Sequence, residues 1–134
     1  MNEKRLAVQG SRSLTDDRVK VILIEEIMKH QPTTIVTSEE PDGVCRVAQR
    51  VAKEEAIPLK VHFLNFKFLR GAFEHRSKAI QKDCDFCVFI HDGKSKGTSN
   101  EIKLAVKMNL PHVIHVLDPA DKVDGFGIVD GFGD

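Results

Sequence analysis

Two loops hold most of the chemistry this chain can offer. The first is Gly10-Ser11-Arg12, and the second is Asp92-Gly93-Lys94-Ser95-Lys96-Gly97-Thr98-Ser99-Asn100-Glu101. Each follows a short apolar run and opens a helical pattern. Glycine lets backbone approach a ligand, hydroxyls and free helix N-terminal N–H groups bind phosphate oxygens, and Arg and Lys add charge. The pair therefore points to a phosphate-bearing small molecule, a nucleotide or a derivative of one. Gly10, Ser11, Arg12, Asp92, Gly93, Ser95, Gly97 and Thr98 are the ligand-binding candidates. A plainer reading stands beside this one. Gly10-Ser11-Arg12 also suits a simple strand-to-helix turn. Thr98-Ser99-Asn100-Glu101 also fits a capping box, with Thr98 at the N-cap and Glu101 reaching back from N3.

Other reactive residues promise less. Cys84 and Cys87 form a C-x-x-C that straddles a helix end and enters a strand. A thioredoxin-like pair sits instead at a helix N-terminus, where the dipole lowers the thiol pKa. Buried structural cysteines are the reading here, and an odd count of three gives no disulfide framework. His112 and His115 fall on a strand with their side chains on opposite faces, a poor metal pair. His75 and His91, near the same end, could serve as acid/base groups, but hydrogen-bonded structural roles suit them better. Nothing calls for a metal or a cofactor.

The elements that must position these loops alternate in type. Leu6-Ala7-Val8 reads as a buried strand ending at Gly10, and Thr15 as the N-cap of a helix running to about His30. Thr33-Thr34-Ile35-Val36-Thr37 is a β-branched second strand. A loop from Ser38 to Gly43 and a helix from Val44 to Ala56 follow. Leu59 to Phe63 makes a short, more polar strand suited to a sheet edge. A Phe-rich connection leads to a helix from about Gly71 to Asp83, whose stripe Phe73, Ser77, Ile80 and Cys84 should pack on the sheet. Phe86 to Ile90 is apolar throughout, hence central. A helix from Ser99 to about Asn109 should bury Ile102, Ala105 and Val106, and His112 to Leu117 closes the sheet as a fifth strand.

This alternation predicts an α/β fold: one Rossmann-like domain over residues 1–118, its five-stranded, mainly parallel sheet covered by helices on both faces. The order 3-2-1-4-5 puts the first and fourth strands side by side, at the topological switch point where such sheets bind ligands. Both informative loops follow those two strands. Residues 119–134 read as a glycine-rich tail, with Val-Asp-Gly-Phe-Gly repeated from Val123 and from Val129.

Composition narrows the class. At 134 residues, 41% hydrophobic and 30% charged, the chain can bury a core of its own. Lys+Arg 20 balances Asp+Glu 20, and eight Phe with no Trp or Tyr offer little stacking surface, so a nucleic-acid partner is not expected. No apolar run approaches a membrane span, and Met1 to Arg5 shows no apolar leader, so a cytoplasmic protein without membrane contact is expected.

Across residues 6–117 the chain resembles the SLOG superfamily, which groups DprA/Smf-like proteins with the LOG (Lonely Guy) enzymes, and within it the small YspA-type proteins. The resemblance rests on Gly10-Ser11-Arg12, the loop Ser38-Glu39-Glu40-Pro41-Asp42-Gly43, Arg76 on the third helix, and Ser95-Lys96-Gly97-Thr98. It adds Ser38 and Gly43 to the ligand-binding residues. It implies either a nucleotide-binding sensor or regulatory protein, or a LOG-like phosphoribohydrolase with Arg76 and Glu101 as its catalytic pair. Such an enzyme releases the base of a nucleoside monophosphate from ribose 5-phosphate through an oxocarbenium-like state. Arg76 also suits a solvated helix face. Glu39-Glu40 stand where the family has Gly-Gly, and carboxylates facing a phosphate repel it, which counts against catalysis more than binding. The resemblance and the apolar stretch from Phe63 to Phe73 together imply a homo-oligomer.

Overall fold

Leu6 to Val8 and Cys87 to Ile90 are almost fully buried, and they become the two middle strands of the sheet. The structure, a computed structural model, describes residues 3–122. Its strands are β1 (Arg5–Gly10), β2 (Thr34–Ser38), β3 (Leu59–His62), β4 (Phe86–His91) and β5 (His112–Val116). Its helices are α1 (Asp17–His30), α2 (Gly43–Glu54), α3 (Ala72–Lys82) and α4 (Lys96–Lys107). Short 3-10 turns span Phe66–Gly71 and Pro119–Asp121. The strands form one sheet in the order β3-β2-β1-β4-β5, and every pairing is parallel, as expected. Among the described residues no helix is long and apolar enough to cross a membrane. The repeated tail lies outside the described residues.

Alternation along the strands divides the core between two faces. Leu6, Val8, Val88 and Ile90 pack with Val19 and Leu23 of α1 and with Val44, Ala48 and Val51 of α2. Ala7, Val36, Cys87 and Phe89 meet Ile80 of α3 and Ala105 of α4 in a smaller cluster. That second face also buries amides. Gln81 Nε2 donates to Gln9 Oε1 at 2.9 Å and to the Glu101 carbonyl at 2.8 Å, and Gln9 Nε2 donates to the Ser77 carbonyl at 3.4 Å. These bonds tie β1 to both helices that flank the second face.

Several boundaries differ from the sequence reading. The N-cap of α1 is Asp16, not Thr15. Helix α4 starts at Lys96 behind N-cap Ser95, so neither Thr98 nor Glu101 holds its expected place in a capping box. Tertiary bonds to Asp92 turn the chain early, as described below. On α3 the inward row is Ala72, Arg76 and Ile80. Phe73 is 53% exposed and faces away from the sheet, while Cys84 packs beside the smaller cluster. Val106, expected in the core, is also exposed.

The cysteines behave as structural residues. Cys45 and Cys87 are buried, Cys84 is partly buried, and all three are free thiols. Burial pushes each thiol up, Cys84 to about 12 with Asp85 and Asp83 adding to the effect. Thiols held protonated in this way are poor nucleophiles.

Candidate functional site

Strands β1 and β4 run in register up to Gly10 opposite Ile90, and the chain leaves them in different directions. A crevice of about 910 Å³ opens there, between the loop after β1 and helices α3 and α4. Two glycines let its floor close. A Cβ on Gly10 would stand 2.5 Å from the Ile90 carbonyl oxygen and 2.7 Å from Val44 Cβ. Gly43 has φ +77°, and a Cβ there would stand 2.4 Å from Arg12 Cα. Close chain approach therefore accounts for both glycines, and only Gly10 lines the crevice.

Ser11 locks the two loops together. Its N–H donates to the Ile90 carbonyl, and its own carbonyl accepts from Leu14 and Val44. Its hydroxyl accepts from the Asp92 N–H at 3.1 Å and shares a 3.0 Å hydrogen bond with Thr98 Oγ1. Asp92 completes the lock. Its carboxylate accepts from Ser13 Oγ, the N–H groups of Lys94 and Ser95, and Ser95 Oγ, at 2.7–2.9 Å. Burial alone would raise the Asp92 carboxyl, but these donors outweigh it and hold the group well below the usual carboxylate range. Asp92 is thus the organiser of the loop and does not line the crevice. Gly93 supplies the left-handed turn beside it, with φ +84°. The Gly93 N–H donates to His91 Nδ1, so His91 Nε2 donates to Ser99 Oγ at 2.9 Å. His75 stacks on Phe68. His91 is thus held structurally, whereas His75 is exposed and stacks where a hydrogen bond was expected.

The α3 wall turns on Arg76, which is 6% exposed rather than on a solvated face. Its guanidinium pairs with Glu39 at 2.5 Å and with Glu40 at 3.3 Å, while Arg12 Nε donates to Glu40 at 2.8 Å. Both guanidiniums lie over the Phe73 ring, 5.8 Å and 5.3 Å from its centroid. Burial would raise the Glu39 carboxyl, but the Leu64 N–H, its own N–H and Arg76 outweigh that and lower it. The expected repulsion from Glu39-Glu40 is therefore met inside the protein: two arginines neutralise two carboxylates. One donor stays unmatched, since the buried Arg76 Nε has no hydrogen-bond partner.

Glu101 stands between α3 and α4, where its carboxylate accepts from Ser77 Oγ at 3.0 Å. Burial pushes this carboxyl up to about 7, against the opposing Ser77 hydrogen bond, and nearby Glu40 raises it further while Arg76 opposes. A carboxyl with that pKa can give or take a proton near neutrality. Among the described residues no group of three or more His, Cys, Asp or Glu is placed to hold a metal ion.

The crevice brings together Gly10, Ser11, Arg12, Arg76, Ser95, Gly97, Thr98 and Glu101. Ser38, Gly43, Asp92 and Gly93 stand outside it as supports; the Ser38 carbonyl, for example, accepts from Gln49 at 2.7 Å. The sequence reading missed Phe73 and Ser77 as wall residues, along with Arg70, Lys103 and Lys107. In all, the lining holds Arg12, Arg70, Arg76, Lys96, Lys103 and Lys107 against Glu40, Glu74 and Glu101. The α4 lysines left a readable signal, because Lys96, Lys103 and Lys107 recur at i, i+7 and i+11. In class the molecule is a doubly wound α/β domain with a cationic crevice at its switch point. Comparisons with protein-family models, curated proteins and solved structures find no match to the chain.

Proposed function

We propose that this crevice binds a nucleotide or nucleotide-derived small molecule, and that the protein acts as a sensor or regulatory module of the SLOG kind. The observation that carries this reading is the concentration of six cationic side chains against three acidic ones, in a chain whose charges balance as a whole. The excess lies where open parallel sheets place their ligands. The N-cap Ser95 makes no side-chain bond to the first turn of α4, which suits an anion at that helix end. Phe73 and Leu104 offer apolar surface to a base.

Glu101 favours a second reading, an N-glycosidase of the LOG kind. In that reaction the bond from ribose C1′ to the base nitrogen breaks. Water supplies a hydroxyl to C1′ and a proton to the base. A carboxyl poised near pH 7 beside the ribose would stabilise the oxocarbenium-like state or move the proton of the attacking water. Arg76 would hold ribose or phosphate in place.

One experiment separates the two readings. The protein is incubated with a panel of nucleoside monophosphates while melting temperature and free base are both measured. A raised melting temperature without base release supports the sensor. Release abolished by Glu101→Gln, with binding retained, supports the enzyme. Neither shift nor release contradicts both.

We also propose that a second copy of the chain covers the exposed apolar stretch beside the crevice, where Phe63, Phe66 and Leu69 are largely in solvent. Light scattering should give the mass of at least two chains, and the mass of a single chain would refute the assembly.

A further inference from the structure

We infer that the crevice contains two anion subsites and takes a ligand with two phosphate groups, a 5′-phosphorylated dinucleotide. This inference rests on the nucleotide-binding reading above. Of the six lining cations, Arg12 and Arg76 are already paired with Glu40 and Glu39. Arg70, Lys96, Lys103 and Lys107 form no ion pair among the described residues. They are the charges a ligand would find unclaimed.

Their arrangement on α4 is regular. With about 100° per residue, Lys96, Lys103 and Lys107 fall within roughly 40° of one another around the helix. They divide into two groups along it. Lys96 stands at the first turn, beside the N–H groups that Ser95 leaves uncapped. Lys103 and Lys107, one turn apart, stand about 10 Å and about 16 Å farther along the axis at 1.5 Å per residue. A phosphate seated in the first turn leaves the second pair free to take a second anion.

Three observations favour a ligand over a merely solvated face. Lysines at i and i+4 repel one another in a helix, and acidic partners usually sit at such spacings. Here positions 99 and 111, the other i±4 neighbours of this pair, are Ser99 and Pro111. Leu104 lies between the two lysines in sequence and also lines the crevice, as do Phe73 and Arg70. That gives an apolar surface for a base beside the second anion site. Finally, about 910 Å³ is near the upper end of small-molecule sites, which run from about 300 to 1,000 Å³.

The test measures calorimetric affinities of 5′-AMP, the 5′-phosphorylated diadenylate pApA and the hexamer pA6 at one fixed ionic strength. The wild-type protein should bind pApA at least about tenfold tighter than AMP, with no further gain for pA6. In the double variant Lys103→Gln/Lys107→Gln the preference for pApA over AMP should fall to within about twofold, whatever happens to AMP itself. Binding of AMP with no gain for pApA overturns the second subsite and leaves the nucleotide reading standing. A preference that survives in the double variant overturns the assignment to these lysines. Affinity that keeps rising to pA6 replaces the dinucleotide by a longer strand. Failure of all three ligands to bind removes the nucleotide reading as well.

Discussion

The two ends of the crevice carry the same sign of charge in different physical states. At the α3 end, Arg76 is buried and pairs with Glu39 and Glu40, and Arg12 pairs with Glu40. Along α4, Lys96, Lys103 and Lys107 are exposed and have no ion pair among the described residues. Burial explains the pairing of Arg76. A guanidinium taken out of water must be matched by charge and hydrogen bonds, whereas an exposed ammonium is matched by solvent. Arg76 therefore shapes the site before any ligand arrives, and the lysines remain available to one. The Glu39-Glu40 pair, which looked like damage to a phosphate loop, belongs to the scaffold that holds Arg76.

The largest effect should come from breaking the paired end. Arg76→Met leaves Glu39 without its cation and Glu40 with Arg12 alone in a partly buried place, and should cost about 3–5 kcal/mol in urea unfolding. Adding Glu39→Gln and Glu40→Gln to that variant should recover most of the loss. Full additivity of the changes would show that the cluster is not a coupled unit.

Glu101 gives a pH-dependent effect of about the same order. Its carboxyl is raised from 4.5 to about 7 in the folded chain. Between those values the native state holds a proton that the unfolded state has released. Stability should then fall as pH rises from about 4.5 to 7, by on the order of 3 kcal/mol, and level off above that. Glu101→Gln should remove this slope, matching wild type near pH 4.5 and exceeding it at pH 8. Identical pH profiles for the two proteins would contradict the raised carboxyl.

Two smaller effects complete the comparison. Asp92→Asn weakens the charge-assisted bonds that lock the two loops, and should cost about 1.5–3 kcal/mol. Wild-type Asp92 favours folding above its unfolded pKa, and this contribution is lost only as pH falls far below the usual carboxylate range. Arg12→Ala removes a pair whose cationic side chain is 62% exposed, so stability should change by less than about 1 kcal/mol. A larger loss in the same unfolding assay would mean that Arg12 is structural, as Arg76 is.

The parts of the fold legible in the sequence were those set by local patterning. The apolar runs at Leu6 to Val8 and Phe86 to Ile90 marked the middle strands, and polar Lys60 and His62 marked β3 as an edge. What was not legible depends on groups that meet only in the folded chain. Helix α4 begins at Lys96 because Asp92 captures the N–H groups of Lys94 and Ser95 and the Ser13 hydroxyl, the last contributed by another loop. Arg76 turns inward, and Phe73 outward, because Glu39 and Glu40 wait more than thirty residues upstream. The capping box at Thr98 failed for a similar reason, as its hydroxyl is taken by Ser11 and the Glu101 carboxylate by Ser77. The loops at the switch point were found from sequence, but the division of labour within them was not.

The proposed function requires that the crevice between β1 and β4 receive a nucleotide. Titrating isotope-labelled protein with 5′-AMP and following backbone amide shifts tests this directly. Amides of Ser11, Arg12, Gly97, Thr98 and Glu101 should move together and saturate, while those of Leu59–His62 at the sheet edge should stay in place. Saturable shifts confined to the α1 and α2 face, or none at millimolar nucleotide, would contradict nucleotide binding in this crevice.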